Sequence, residues 1–97
     1  MKKIVSHSDF LEKMAKNDKT FLLLFKSGNE QSQCAFQNME NALKGQTKTP
    51  VFVADVSTVT DIHVNYGITS VPSLLIFENN NLTSVIKGCQ ESSYYRA

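Results

Sequence analysis

The chain has 97 residues, a mass of 10.9 kDa and a formal net charge of +1. Chains of this length form one small domain, so we expect a single domain over residues 1–97. Hydrophobic residues make up 41% of the sequence and charged residues 20%, which argues against a disordered or collagen-like chain. The nearly balanced charge argues against nucleic acid or an anionic membrane as the main partner.

Apolar runs and helical patterns alternate along the chain. The runs at 20–25 and 50–56 are almost continuously apolar, which is typical of strands buried on both faces of a sheet. The first helix is predicted to be capped by Ser8 or Asp9. The elements predicted in chain order are a strand at 3–5, a helix from Ser8 or Asp9, a strand at 20–25, a helix at 32–44, a strand at 50–56, a helix at 58–66, strands at 73–77 and 82–87, and the start of a helix at 91–97.

The order of these elements is βαβαβαββ with the start of a final helix, which puts the chain in the α/β class. Strands that alternate with helices predict a parallel core, and the closing hairpin adds an antiparallel edge. The asparagines at 79–81 suit the hairpin turn, since asparagine tolerates positive φ. We expect a central mixed sheet flanked by helices, with a C-terminal helix that is short or truncated.

The sequence predicts no membrane span, metal or cofactor. Its longest apolar run, at 21–25, has five residues, whereas a span needs about 20. The basic N-terminus lacks the apolar stretch of a secretory signal, so we expect a cytoplasmic protein. Cys34 and Cys89 are too few for a disulfide framework and show no zinc-type spacing with the histidines. His7 and His63 have no acidic or cysteine partner that the sequence places, so we expect both at the solvated surface.

The motif with the clearest family pattern lies at 66–77, which reads Tyr-Gly-Ile-Thr-Ser-Val-Pro-Ser-Leu-Leu-Ile-Phe. An apolar strand that leads through a loop into a helix with Cys34 in its first turn, and a last strand that ends at Gly88, extend the pattern. The chain therefore resembles the thioredoxin family over nearly its whole length. The resemblance implies a thioredoxin-like fold whose Val71–Pro72 bond is cis and borders a groove for an extended peptide.

The chain departs from the family pattern at the motif that carries the chemistry. The family's Cys-x-x-Cys falls on 31–34, which reads Gln-Ser-Gln-Cys, so Gln31 replaces the attacking cysteine and Cys34 keeps the inner sulfur. The family's aromatic residue before the motif is Glu30, and its buried aspartate falls at about Leu24, which cannot move a proton. Because a thiolate is the nucleophile of disulfide exchange, the resemblance implies weak or no dithiol–disulfide oxidoreductase activity.

Three functions remain open for such a domain. The first is a degenerate site that binds a protein or peptide segment in the implied groove. The residues at that groove are Gln31, Val71, Pro72, Gly88 and Cys89. The second is a monothiol or two-cysteine redox protein of cell redox homeostasis, with Cys34 and Cys89 as its catalytic residues. The third is a non-catalytic interaction module, and the sequence leaves open whether the protein is an enzyme.

The resemblance also brings the two cysteines towards one rim of the sheet. It places the start of the second helix, the Pro72 loop and the end of the last strand there. A disulfide needs Cβ atoms roughly 3.5–4.5 Å apart, and Cys34 is expected about one helical turn inside the rim. We therefore expect both cysteines to be free, with Cys34 partly buried and Cys89 the more exposed. A Cys34–Cys89 crosslink would instead favour the redox function.

Overall fold

The computed structural model describes residues 1–44 and 49–91. The predicted helix at 91–97 lies, from residue 92 onwards, outside the described residues. The described elements in chain order are β1 (Lys2–Lys3), α1 (His7–Met14), β2 (Lys19–Phe25), α2 (Glu30–Leu43), β3 (Val51–Asp55), α3 (Ile62–Asn65), β4 (Ser73–Glu78) and β5 (Asn81–Lys87).

The strands form one mixed sheet in the order β1-β3-β2-β4-β5, which confirms the predicted fold class. β3 is parallel to β1 and β2, while β4 is antiparallel to β2 and β5. The antiparallel part therefore begins one strand further inside than the alternation of strands and helices predicted.

The direction of β4 follows from its connection to β3. β3 ends with Asp55 beside Phe25, and β4 begins with Ser73 beside Leu24, so the connection starts and finishes at the same end of the sheet. A parallel crossover usually needs a helix that carries the chain back along the sheet. The four-residue α3 spans only about 6 Å and does not make that return.

The inner strands β2 and β3 are buried on both faces, as their apolar runs predicted. The side chains of β2 alternate between two apolar clusters. The α1/α3-side cluster includes Phe10, Met14, Leu22, Leu24, Ile62 and Phe77. The α2-side cluster includes Phe21, Leu23, Ala35, Met39, Ala42 and Leu74. A strand that contributes to both clusters has no polar face, which explains its unbroken apolar run.

The N-terminus of α1 lies slightly before its predicted position. Ser6 is the N-cap, and its Oγ accepts a hydrogen bond of 3.1 Å from the Asp9 N–H. The Asp9 carboxylate in turn accepts from the Val5 N–H at 3.1 Å. Asp9 is thus the acidic partner of a capping arrangement and not the cap itself.

The hairpin turn forms as predicted, whereas α3 begins later than predicted because a turn precedes it. Asn79 and Asn80 have φ angles of 51° and 70°, so both take the left-handed conformation that a tight hairpin turn requires. α3 starts at Ile62, four residues later than predicted, because the Thr58 N–H and hydroxyl both bond to the Asp55 carbonyl in a turn, at 3.0 and 3.2 Å. Among the described helices, none is long and apolar enough to cross a membrane.

Candidate functional site

Several chain segments meet at the end of the sheet where β2, β3 and β5 end and β4 begins. We call this end the rim, formed by residues 25–34, 55–58, 71–73 and 87–90. Ser73, the first residue of β4, lies opposite both Leu24 and Lys87. The Gly88 N–H donates to the Pro72 carbonyl at 2.9 Å. The start of α2, the Pro72 loop and the end of β5 are therefore brought together.

The Val71–Pro72 peptide bond is cis, as the resemblance implied. Pro72 is buried, and Val71 is half-buried and packs on the α1/α3-side cluster. The Pro72 carbonyl already accepts a hydrogen bond from Gly88, so Val71 is the more accessible of the two residues at this edge.

Cys34 and Cys89 are joined by a disulfide, so the prediction that both are free is wrong. Their Cα atoms lie 5.7 Å apart across a sequence separation of 55, within the usual range for a disulfide. Cys34 is exposed and Cys89 is half-buried, which also reverses the predicted order of exposure. Cys89 packs beside the α2-side cluster.

The error comes from giving Cys34 the inner position of the family motif, which Ser32 occupies in the structure. Residues two positions apart point about 200° away from each other around an α-helix, so Cys34 lies on the side opposite to Ser32. Ser32 takes the fully buried position of the first turn of α2, and Cys34 lies outside it. Cys34 therefore faces the end of β5, where Cys89 lies.

The start of α2 is held by hydrogen bonds. Asn29 is the N-cap, and its Oδ1 accepts from the Ser32 N–H at 2.9 Å. The Ser32 Oγ accepts from the Lys26 N–H at 3.0 Å. The resemblance assigned two positions to Gln31 and Cys34: an exposed one at the helix start and a buried one three residues later. In the structure these positions belong to Asn29 and Ser32, neither of which carries sulfur.

The sequence contained a signal for the position at which α2 starts. Asn29 is among the preferred N-cap residues, and the acidic Glu30 that follows suits the first turn of a helix. Gln31, which was placed at the groove, is an exposed residue of α2 one turn before Cys34. It lies on the same helix face as Cys34, because residues three apart are neighbours on a helix.

Asn38 is a residue of the site that the sequence analysis missed. Its Nδ2 lies 3.4 Å from the Cys89 Sγ, 3.8 Å from the Cys34 Sγ and 2.8 Å from the Gln90 carbonyl oxygen. The signal was its position four residues after Cys34, one turn further on the same helix face. Asn38 thus contacts both sulfurs and the chain segment that follows β5.

Asp55 connects the loop before α2 to the end of β3. Its carboxylate accepts from the Ser27 hydroxyl, from the Ser57 hydroxyl at 2.7 Å and from the Ser57 N–H at 3.0 Å. The hydrogen bond from Ser27, followed by those from Ser57, lowers the pKa of Asp55 to about 2. Asp55 is therefore ionised at neutral pH and holds the Ser27 loop at the rim.

Neither histidine is fully solvated, contrary to the sequence-based expectation. His7 is half-buried. Its backbone N–H donates to the two Asp61 carboxylate oxygens at 3.1 and 3.2 Å, and its ring Nε2 lies 2.9 Å from the Tyr66 hydroxyl. Burial raises the pKa of that tyrosine. His63 is half-buried, and its Nδ1 has no hydrogen-bond partner within the described part of the chain.

The described residues contain no group of three or more His, Cys, Asp or Glu side chains that could hold a metal ion.

Comparison with solved structures identifies the fold. A thioredoxin from Plasmodium falciparum matches with a TM-score of 0.88 and 20% identity over 97% of this chain and 92% of the other. A Fasciola hepatica thioredoxin matches with a TM-score of 0.89 and 14% identity over the same shares, 97% and 92%. The oxidised form of mitochondrial thioredoxin 3 from Saccharomyces cerevisiae gives 0.87 and 15% over 97% and 89%. No protein-family model and no curated protein matches the sequence.

The chain thus has a thioredoxin-like fold, as the motif at 66–77 and the strand order indicated. Identities of 14–20% show the fold alone. The fold places the Cys34–Cys89 disulfide beside the cis-proline loop, which is a finding about this chain's own residues.

Proposed function

We propose that this chain, which has a thioredoxin-like fold, is a thiol–disulfide redox protein whose active pair is Cys34 and Cys89. The observation that carries the proposal is the disulfide between them at the rim. Because Cys34 is exposed, an incoming thiolate can approach the bridge from solvent, which disulfide exchange requires.

The pair differs from a local Cys-x-x-Cys, and the difference lowers the expected rate. Asn29 and Ser32 occupy the helix start without sulfur, so exchange has to run through Cys34 and Cys89. Cys34 is the fifth residue of α2, beyond the first turn in which free N–H groups and the helix dipole stabilise an anion most strongly. Weak turnover is the expected consequence, and in that sense the active site is degenerate.

The substrate that we propose is a protein or peptide segment. The hydrogen bond from Gly88 to the Pro72 carbonyl puts Cys89 next to the cis-proline loop. Val71 is half-buried there and Gln31 is exposed beside Cys34, so an extended segment lying over these residues would pass the disulfide. These are the groove residues that the sequence predicted, and their role in binding is part of the proposal.

The test is reduction of a protein disulfide by this chain in the presence of a dithiol regenerating system. We expect slow turnover, well below that of an ordinary thioredoxin, and complete loss in both Cys34→Ser and Cys89→Ser. Gln37→Leu, at an exposed position on α2, is the matched control and should keep the wild-type rate. Turnover that survives in both serine variants would refute the assignment of the active pair.

A second candidate is a non-catalytic peptide-binding domain in which the disulfide is structural. The observation that favours it is the absence of sulfur from Asn29 and Ser32 at the start of α2. Equilibration with a dithiol redox buffer separates the two candidates. Structural disulfides have reduction potentials below about −300 mV, whereas cysteine pairs that exchange have higher reduction potentials. A potential below that value, together with no turnover, would favour the second candidate.

A further inference from the structure

Asn38 makes an unusual set of contacts for a helix residue. Its amide nitrogen is 2.8 Å from the Gln90 carbonyl oxygen and 3.4 Å from the Cys89 Sγ. An asparagine amide carries two N–H donors, so one can serve the carbonyl while the other points to sulfur. The contact to the Cys34 Sγ is longer, at 3.8 Å.

We propose that Asn38 is a positioning residue for disulfide exchange, which makes Cys89 the leaving sulfur and Cys34 the sulfur that is attacked. This inference rests on the proposed redox function, and it adds the direction in which the bridge opens and the side chain that sets that direction.

The exchange proceeds in two steps. The first thiolate of a dithiol substrate attacks the Cys34 Sγ, the Cys34–Cys89 bond breaks, and its electron pair leaves on the Cys89 Sγ as a thiolate. The substrate is now joined to Cys34 by a mixed disulfide. Its second thiolate attacks the substrate sulfur of that bond and releases Cys34 as a thiolate. The substrate dithiol is oxidised to a disulfide, the protein pair is reduced by two electrons, and two protons pass from the dithiol to the cysteine pair.

The geometry favours this direction for two reasons. Cys34 is the exposed cysteine, while Cys89 is half-buried against the α2-side cluster and is less accessible to an attacking group. A half-buried sulfur that leaves as an anion needs a hydrogen-bond donor, because burial disfavours the charge. The Asn38 N–H at 3.4 Å is that donor, and hydrogen bonds to ionised groups are stronger than those to neutral ones.

The direction of opening is tested on the wild-type chain. The oxidised protein is exposed to limiting glutathione, quenched in acid, alkylated with iodoacetamide after the pH is raised briefly, and mapped after trypsin digestion. Lys44 and Lys87 separate the two cysteines into different peptides. We expect glutathione on Cys34 and the alkyl group on Cys89, in about tenfold excess over the reverse pattern. Equal or reversed amounts would overturn the proposal.

The role of Asn38 is tested by the pH dependence of alkylation of Cys89 in a Cys34→Ser background. Asn38→Leu removes the donor while keeping a similar volume. We expect it to raise the midpoint pH for alkylation and to lower the rate at pH 7 about tenfold. Gln37→Leu makes the same amide-to-apolar change at an exposed position of the same helix and should leave the profile unchanged. A profile of Asn38→Leu within about twofold of its parent would overturn the role of Asn38.

These readouts are independent of the proposed function. Glutathione exchanges with any accessible disulfide, so the site of attack is measurable even if the chain turns over no protein disulfide. The mapping experiment also uses no variant, so it still decides the direction of opening if Asn38→Leu fails to fold.

Discussion

Two neighbouring parts of the rim are held in different ways. At the start of α2, Asn29 and Ser32 form hydrogen bonds to backbone groups within six residues along the chain. One turn further, the Cys34–Cys89 disulfide joins residues that are 55 positions apart. The first part is built from local contacts, and the second depends on the whole sheet that brings β5 beside α2.

The difference separates structural from chemical roles at the rim. The helix start is capped by Asn29 and carries no redox group, so its contribution is to stability. The disulfide closes a long loop and also carries the chemistry that we propose, so its contribution depends on redox conditions. Each of the following predictions tests one side of this comparison.

The largest effect is expected from the disulfide. Replacing both Cys34 and Cys89 with serine should lower the free energy of unfolding by about 2–4 kcal/mol, because a loop of this length loses much conformational entropy when it is closed. The melting temperature should fall by roughly 10–25 °C. Urea unfolding of the oxidised, reduced and double-serine proteins measures this; a difference below about 1 kcal/mol would mean that the bridge adds little to the fold.

The next effect is expected at the helix start. Ser32→Ala removes the acceptor of the Lys26 N–H and should cost about 1–2 kcal/mol, since a partly buried donor is left without its partner. The exposed neighbour Gln33 provides the control, because Gln33→Ala should change stability by less than about 0.5 kcal/mol. Similar values for the two variants in urea unfolding would contradict the proposed role of the Ser32 hydroxyl.

A third prediction transfers the redox chemistry to the helix start. The double substitution Asn29→Cys with Ser32→Cys puts a thiol at the N-cap, where the helix dipole lowers its pKa. In a background with Cys34→Ser and Cys89→Ser, we expect reduction of a protein disulfide about tenfold faster than by the wild-type pair. Asn29→Cys alone is the control. No gain by the double variant would show that the helix start lacks the geometry for exchange.

The smallest effect concerns Asp55, which holds the loop before α2. Its pKa in the folded state is about 2, below the ordinary value of 3.8. The ionised form therefore stabilises the fold above about pH 4, and this contribution is lost as the pH falls from about 4 to about 2. Asp55→Asn should remove that part of the acid dependence, by less than about 1 kcal/mol because the carboxylate is close to solvent.

Urea midpoints between pH 2 and pH 6 measure the Asp55 effect, with the exposed Asp18→Asn as the matched control. An acid dependence that is the same for wild type and Asp55→Asn would contradict the role given to the Ser27 and Ser57 hydrogen bonds.

Much of the fold was predictable because its determinants are local. Apolar strands, asparagines in a hairpin turn and the Tyr-Gly…Val-Pro motif act within a few residues of one another, and all three had the predicted outcome. The direction of β4 was not predictable in the same way. It depends on which end of the sheet the chain reaches after β3, and the short α3 decides that.

The site was predictable in its location but not in its chemistry. The resemblance placed Cys34, the Pro72 loop and Cys89 at one rim, and the structure brings them together. Two free cysteines were also predicted, because the resemblance gave Cys34 the inner position that Ser32 occupies. Asn38 was missed because its contacts to Cys89 and Gln90 cross 51 and 52 positions of the chain.

The sequence by itself determined the order of the elements, the double-sided burial of β2 and the identity of the two cysteines. These depend on local patterns of side chains, which are readable one segment at a time. Only the tertiary structure decided that Cys34 and Cys89 pair. That outcome depends on how α2 packs on the sheet. With Ser32 on its buried side, Cys34 points about 200° away around the helix, towards the end of β5 where Cys89 lies.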